Sequence, residues 1–414
     1  MLIQFSATNF QCLKEKTTLD MQAVTLSEYK SSLINNRLLP LAAIYGPNGG
    51  GKTTLLKAFF TLQALIARHF NNIGGVIVPN EAPFGVQISP FKFDIDCLLK
   101  PTEFEVFLQI GEMEYKYSVS VLNNRIVYEA LYMMKVGYKV SKLVFERNET
   151  GINHGNIAKE IKIPENIGEG VLLLAWIRMI YPTFQPVANV ANWFLSTYSV
   201  DFNNPFQEDI LLYNIHQLEL GSDERLKRIK SKVKELLTGM DLNIKSYSAR
   251  KISINEHQFR IQINTEHKIG DNSYQLDLNE ESSGTKKIFN LLPLFVVALE
   301  NGSAVVIDEL DAKMHPLVLK YIINLFADKK TNPNGAQLIF TSHDLTTMVK
   351  EVFRRDEIWF MAMNEKEYSS LYSLIEIRGE DGEVVRPDAV YNKQYLEGRY
   401  GADPYLNAIK HWEN

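Results

Sequence analysis

With 414 residues, 45% hydrophobic and 22% charged, the chain can hold two or three structural units with substantial cores, and its composition is that of an ordinary globular protein. A formal net charge of −5 gives no electrostatic reason to expect nucleic acid as a default partner. Cys12 and Cys97 are the only cysteines; they have no metal-ligand spacing between them and suit a reducing cytoplasm.

Met1 to Phe10 reads as an edge strand, not as a basic segment leading into an apolar one, so no secretory signal is expected. Leu38 to Tyr45 has the character of a short buried strand. It runs into Gly46-Pro47-Asn48-Gly49-Gly50-Gly51-Lys52-Thr53, the phosphate-loop pattern of two glycines around four residues, then Lys and a hydroxyl. Consecutive glycines let the backbone curl so that its N–H groups cradle a polyphosphate. Lys52 is expected to reach the β- and γ-phosphates of ATP, and the Thr53 hydroxyl to hold Mg²⁺. Thr54 to Phe60 opens a helix whose N-terminus favours the anion, which adds Thr54 to the nucleotide-binding positions.

Residues 86–146 change character. Phe104, Val106, Leu108 and Ile110 alternate with polar residues, Gly111-Glu112 turns, and Tyr115, Tyr117, Val119 and Val121 alternate again before Asn123-Asn124. This pattern predicts antiparallel sheet with hairpins. Residues 150–245 read as a mostly helical insertion. Its clearest helix runs from 222 to 237, with Ser222 as N-cap and Gly239 as stop. Leu226, Ile229, Val233, Leu236 and Leu237 form its apolar stripe, and the surrounding Lys and Arg residues read as a solvated face. A further hairpin is expected from Ile252 and Ile254 through a turn near Asn255-Glu256 to Phe259, Ile261 and Ile263. Two apolar stretches, 170–195 and 289–307, are interrupted by Pro, Asn and Gly and predict buried core segments, not membrane spans. Strands are expected at 358–360 and 371–375.

A second half of the nucleotide site follows. Ala304-Val305-Val306-Ile307 is a buried strand ending in Asp308-Glu309. Two acids there are costly to bury without a role; Asp308 is assigned to the Mg²⁺ shell and Glu309 to the general base. Leu338 to Thr341 is another apolar strand, ending in Ser342-His343-Asp344, which places His343 beside the same crevice. Upstream, Glu281-Ser282-Ser283-Gly284-Thr285 starts a long apolar helix, an anion-binding end.

The order phosphate loop, Ser-Gly turn, Asp-Glu strand and Ser-His strand resembles ABC-type ATPase heads, as in DNA-repair and chromosome-maintenance ATPases and transporter nucleotide domains. The resemblance implies that Ser283 and Gly284 are the signature capping ATP bound to a second copy. It makes Leu310-Asp311 the loop after the catalytic acid and His343 the switch histidine. Within that superfamily the chain is similar to stand-alone AAA-family ATPases of bacterial abortive-infection and Rlo- or PARIS-type anti-phage systems. The residues that carry this are Asn9-Phe10, Phe104-Glu105-Val106, Asp308 to Asp311 with His315-Pro316, and the tail Tyr395 to Pro404. The signature reads Ser-Ser-Gly-Thr, not the transporter Leu-Ser-Gly-Gly-Gln, which argues against a transporter. Gln87 and Gln109 are the two candidates for the metal-contacting Gln of such heads, and the sequence assigns the role to neither.

No effector is evident within the chain. Asp94 and Asp96 put two carboxylates on one strand face, but sheet edge is the better reading. Arg250 and His257 have the spacing of an RNase pair but flank an alternating strand. The expected architecture is therefore a mixed α/β ABC-type P-loop ATPase head: 1–149 with the P-loop and an antiparallel β subdomain, 150–245 the helical insertion, 246–355 the second half of the head, and 356–414 a tail. The resemblance implies a cytoplasmic ATP- and Mg²⁺-dependent homo-oligomer, joined through an ATP sandwich. It would act as sensor or regulator of a separate Toprim-like nuclease, answer a phage-encoded trigger, and have no membrane partner. The alternative is a DNA-repair ATPase of the recombination-mediator type.

Overall fold

The computed structural model describes residues 1–26, 32–71, 88–164, 167–202, 204, 207, 211, 223–240, 244–253, 259–378, 382 and 384–402. Ser222, Ile254, Asn255, Glu256, His257, Gln87, Asp403 and Pro404, all named from the sequence, lie outside the described residues.

Leu2–Thr8 (β1) and Thr17–Asp20 (β2) join Thr102–Ile110 (β4), Met113–Leu122 (β5), Arg125–Lys135 (β6), Lys142–Asn148 (β7) and Gly151–His154 (β8) in one antiparallel sheet ordered β2-β1-β4-β5-β6-β7-β8. The period-2 pattern dictates this: Phe104, Val106, Leu108, Tyr117 and Val119 are buried on one face. Asn123 and Asn124 sit at φ +51° and +62°, the left-handed pair a tight two-residue hairpin turn requires.

The second sheet holds Leu41–Tyr45 (β3), Tyr198–Asp201 (β9), Ala304–Asp308 (β13), Gln337–Thr341 (β14), Ile358–Met363 (β15) and Ser369–Ser373 (β16), ordered β16-β15-β3-β14-β13-β9. All its neighbours are parallel except β15 and β16. Every residue of β3, β13 and β14 is buried, as a parallel strand covered on both faces requires. Alternate residues feed two cores. Ala42, Ile44, Val306 and Ile339 enter one, shared with Lys52–Asn71 (α1), Leu173–Ile180 (α3), Gln185–Leu195 (α4) and the antiparallel sheet. Leu41, Ala43, Val305, Ile307, Leu338 and Phe340 enter the other, shared with Glu224–Gly239 (α5), Ser283–Asn301 (α6) and Pro316–Ala327 (α7). A third, three-stranded sheet is formed by Ile244–Ser253 (β10), Phe259–Ile269 (β11) and Asn272–Asp277 (β12). The result is a mixed α/β fold with a largely parallel sheet and an antiparallel β subdomain.

Several expectations change. Within residues 150–245, read as mostly helical, β8 and β9 are strands, and β9 is an edge strand of the parallel sheet. Helices α3 and α4 lie in the first core, where Phe59 packs edge-on against Trp193 with ring centroids 6.2 Å apart. Helix α5 buries Ile229, Val233 and Leu237 in the second core, and burial of each such side chain stabilises by about 1.5–3 kcal/mol. Its N-cap is Asp223, whose carboxylate accepts from the Leu226 N–H at 2.9 Å. Asp94 does not lie on a sheet edge; it caps the short helix Ile95–Leu98 (α2), accepting from the Asp96 N–H at 3.0 Å. Residues 374–376 are a 3-10 turn instead of a strand end. Helix α6 runs straight through Pro293 and stops at Gly302, φ +66°. Among the described residues no helix is long and apolar enough to cross a membrane. Tyr395 of Tyr391–Leu396 (α8) and Tyr400 pack on Phe360 with centroids 5.6 and 5.2 Å away, so this part of the tail closes the second core.

Candidate functional site

Strand order brings the chemistry together. In register, Ile44 of β3 faces Thr341 of β14, and Ile307 of β13 faces Phe340. The three parallel strands thus end level with one another, and the segments after them (Gly46 onward, Glu309 onward, Ser342 onward) emerge at one edge. This is the crevice at strand carboxyl ends where open α/β sheets bind ligands.

The loop from Gly46 to Gly51 curls because three of its glycines take positive φ: +146° at Gly46, +79° at Gly49 and +100° at Gly51. Gly46 also presses against β15, since a Cβ there would stand 2.2 Å from the Met361 carbonyl oxygen. Gly46→Ala is therefore expected to lose about 1–3 kcal/mol of stability, measurable by denaturant unfolding; an unchanged midpoint would show that the loop does not need this close approach. Lys52 is buried, and its Nζ donates to the carbonyls of Gly46 and Pro47 at 2.8 and 2.9 Å. Burial pushes its pKa below the usual lysine value, partly offset by Asp308, Glu309 and Asp311. Helix α1 has no acid in its first turn, which leaves its positive end to an anion.

Asp308 is fully buried and accepts from the Thr341 hydroxyl at 2.6 Å. The same Thr341 Oγ1 accepts from the Glu309 N–H at 2.7 Å. Glu309 stands at φ +52°, a left-handed conformation uncommon for a residue with a Cβ. Asp311 Oδ2 accepts from the His343 N–H at 3.0 Å, while Asp311 Oδ1 is buried with no hydrogen-bond partner. Lys287 of α6 donates to the carbonyls of Glu309 and Ala312. The acids after β13 and the turn after β14 are thereby braced against each other.

One cleft of about 410 Å³ is lined by Pro47, Asn48, Gly49, Gly51, Lys52, Thr53 and Thr54 together with Glu309, His343, Gln11, Cys12 and Met363. A larger cavity of about 940 Å³ runs along the other side of the loop, touching Gly46, Gly50 and His343 and reaching the tail at Tyr395 and Ala402. His343, Pro47, Asn48, Gly49 and Met363 line both. Burial and the charge of Lys52 lower the His343 pKa, which favours the neutral imidazole. Ser283 and Gly284 do not line the cleft. They start α6, where Gly284 packs on the Lys313 carbonyl so closely that a Cβ would stand 2.4 Å from it. Gln109 hydrogen-bonds to Gly111 in the antiparallel sheet and does not line the cleft. Arg250 lies within β10, paired with Gln262.

Thr341, Lys287, Gln11 and Cys12 were not singled out from the sequence. Thr341 looked like the last residue of an apolar strand. Lys287 had one signal, its place in a lysine pair with Lys286 one turn into a largely apolar helix. Gln11 has φ +49° and no pattern that would reveal it.

The residues fit a Mg²⁺–nucleotide. The curled loop, an unopposed helix N-terminus and a buried lysine suit phosphates, and the unpartnered Asp311 oxygen marks a polar region built for a further partner. Among the described residues no group of three or more His, Cys, Asp or Glu is arranged so that protein side chains alone could hold a metal ion.

The family described as "AAA domain, putative AbiEii toxin, Type IV TA system" matches residues 41–348, well over half of the chain and the whole span from β3 to His343. The chain belongs to this AAA family. Membership makes it a nucleotide-binding ATPase of that class. No curated protein matches it. Solved structures similar to it include "Crystal structure of the SmcHead bound to the C-winged helix domain of ScpA", at 12% identity and TM-score 0.46, covering 90% of this chain and 98% of that one. Others are the SMC head domain from Thermotoga maritima, at 15% identity, TM-score 0.42 and coverage of 90% and 98%, and a Smc head domain with an extended coiled coil bound to the C-terminal domain of ScpA derived from Pyrococcus furiosus, at 13%, 0.40, and 90% and 96%.

Proposed function

We propose that this AAA-family chain is a Mg²⁺-dependent ATP hydrolase working as a two-copy switch, and that its nucleotide state governs a separate effector in bacterial defence against phage. The observation that carries the hydrolase reading is the single cleft that gathers the phosphate loop, Glu309 and His343. The loop N–H groups and Lys52 bind and orient the phosphates. Bound Mg²⁺ would supply charge neutralisation at the β- and γ-phosphates, with Thr53 and Asp308 as its protein ligands. Glu309 takes the proton of the attacking water, and His343, neutral near pH 7, hydrogen-bonds at the γ-phosphate.

Ser283 and Gly284 stand outside their own chain's cleft, which supports their use by a second copy through isologous contacts. Ser283→Arg should leave binding of a fluorescent ATP analogue by the single subunit unchanged and remove most turnover. Natural turnover in that variant would overturn the sandwich.

The toxin–antitoxin wording of the family description supports a defence role; a cytoplasmic regulator with a Toprim-like nuclease as effector and a phage-encoded trigger is the form of that role which the sequence resemblance implies. Co-purification with the product of the neighbouring gene, and loss of phage protection in Lys52→Ala, test it. ATPase stimulation by DNA with steep salt dependence would instead favour a DNA-repair role. The net charge of −5 lends that alternative no support.

A further inference from the structure

Glu309 is gripped through its main chain on both sides. Its N–H donates to Thr341 Oγ1 at 2.7 Å, and its carbonyl accepts from Lys287 Nζ at 2.7 Å. Between these two bonds φ is +52°, a pose that a glutamate keeps only when its surroundings fix it. The Lys287 ammonium also donates to the Ala312 carbonyl at 2.9 Å and lies 4.3 Å from the centre of the Phe202 ring. Lys287 is 7% exposed, among the mostly apolar buried residues of α6. A buried ammonium is costly unless its hydrogens are used, and here they are spent on the turn that follows the acid pair.

Lys287 comes from the first turns of α6, the helix that begins with Ser283 and Gly284. Gly284 packs on the Lys313 carbonyl at the far end of the same 309–313 turn. The helix start therefore touches this turn at both ends, through a close glycine contact and through a charged hydrogen-bond donor. Burial lowers the Lys287 pKa to about 8, against the pull of Asp311 and Glu309; the neutral amine still has two donors for the two carbonyls.

We propose that Lys287 is a positioning residue that holds the Glu309 peptide in its left-handed pose. It thereby ties the helix start at Ser283–Gly284, the surface offered to a second copy's nucleotide, to the acid of its own chain's cleft. Lys287 acts through the base assigned to Glu309, on which this inference rests. In a two-copy assembly the contact lets occupancy of one site set the readiness of the other, because the helix that touches the first nucleotide carries the clamp on the second site's acid.

The test uses the full chain with Lys287→Met, which keeps the stem and removes the donors. Phosphate release reports turnover, a fluorescent ATP analogue with Mg²⁺ reports binding, thermal unfolding reports folding, and hydrogen exchange reports the 309–313 turn. The expected result is a kcat lower by on the order of 10- to 100-fold, since misplacement of a catalytic group by about 1 Å costs that much. Analogue affinity should be unchanged, and exchange across 309–313 faster. Because the effect passes through Glu309, adding Lys287→Met to Glu309→Gln should cost nothing further. Phe202→Leu, a milder change at the ring under the ammonium, should lower kcat several-fold on its own and not at all in the Lys287→Met background. Natural kcat and natural exchange in Lys287→Met overturn the clamp, as does a loss of turnover that merely tracks the unfolded fraction; if that variant does not fold, natural kcat in Phe202→Leu does so instead. Natural turnover in Glu309→Gln is a different outcome: it overturns the base assignment itself and takes the clamp's role with it.

Discussion

Glu309→Gln is expected to bind ATP like the natural chain while its turnover falls by about 10²- to 10⁴-fold, the usual contribution of a positioned general base. The structure makes this a clean substitution. Glu309 is held by its N–H and carbonyl, to Thr341 and Lys287, and the change alters neither. Glu309 lines the cleft together with Lys52 and Thr53, and an amide of the same shape cannot take up a proton there. Binding is read by titration with a fluorescent ATP analogue and chemistry by single-turnover phosphate release. Turnover within a few-fold of natural would sink the role given to Glu309. The same variant traps the ATP-bound form, so sizing and crosslinking should find it as a dimer; a strictly monomeric ATP-bound Glu309→Gln chain rules out the sandwich.

The parts of this fold that were legible in the sequence are those whose physics is local. Gly46 to Thr53 needs only a curling backbone and a helix N-terminus, both written in consecutive residues. The hairpins of β4 to β6 follow from period-2 alternation and from Asn123-Asn124, whose left-handed φ values are a property of that dipeptide's short polar side chains. Asp308-Glu309 stood out because acids at the end of an apolar strand need a reason.

What the sequence concealed depends on partners far along the chain. Thr341 matters because it meets Asp308, 33 positions earlier, and Lys287 because it meets the Glu309 carbonyl, 22 positions later; neither pairing has a local period. Strand β9 is four residues long, too short for alternation to separate it from the helices around it, so its place beside β13 could not be read. Asp94 and Asp96 looked like alternating strand positions because a cap and its first turn also place acids two apart. The burial of α5 was half visible: its apolar stripe predicted a packed face, but only the structure shows that the face packs in the second core. Its outer face is the solvated one, with Lys227 paired to Glu224 and Lys232 to Glu300 at 2.7 and 3.0 Å.

Lys52→Ala is expected to weaken ATP binding by about 10- to 150-fold, the equivalent of losing charged hydrogen bonds worth about 1.5–3 kcal/mol. In the structure the ammonium already sits within the curl of the loop, on the carbonyls of Gly46 and Pro47. That placement puts a charge where the phosphates would lie, in a site whose first helical turn contains no acid to compete. The loop itself should survive, because Gly50 N–H still bonds to the Pro47 carbonyl at 3.1 Å and the turn still packs on Met361. A thermal midpoint close to the natural one, together with the loss of binding, is therefore the combination that supports the assignment. The result also separates two functions of the lysine. If Lys52 serves only to close its own loop, the variant should unfold more readily while what remains folded binds the analogue normally. If it serves the phosphates, affinity falls in a chain that is still folded, and added Mg²⁺ does not restore it, since Thr53 and Asp308 are untouched. Unchanged affinity in a stably folded Lys52→Ala chain would remove the phosphate loop from the nucleotide site, and with it the reason for placing ATP in this cleft.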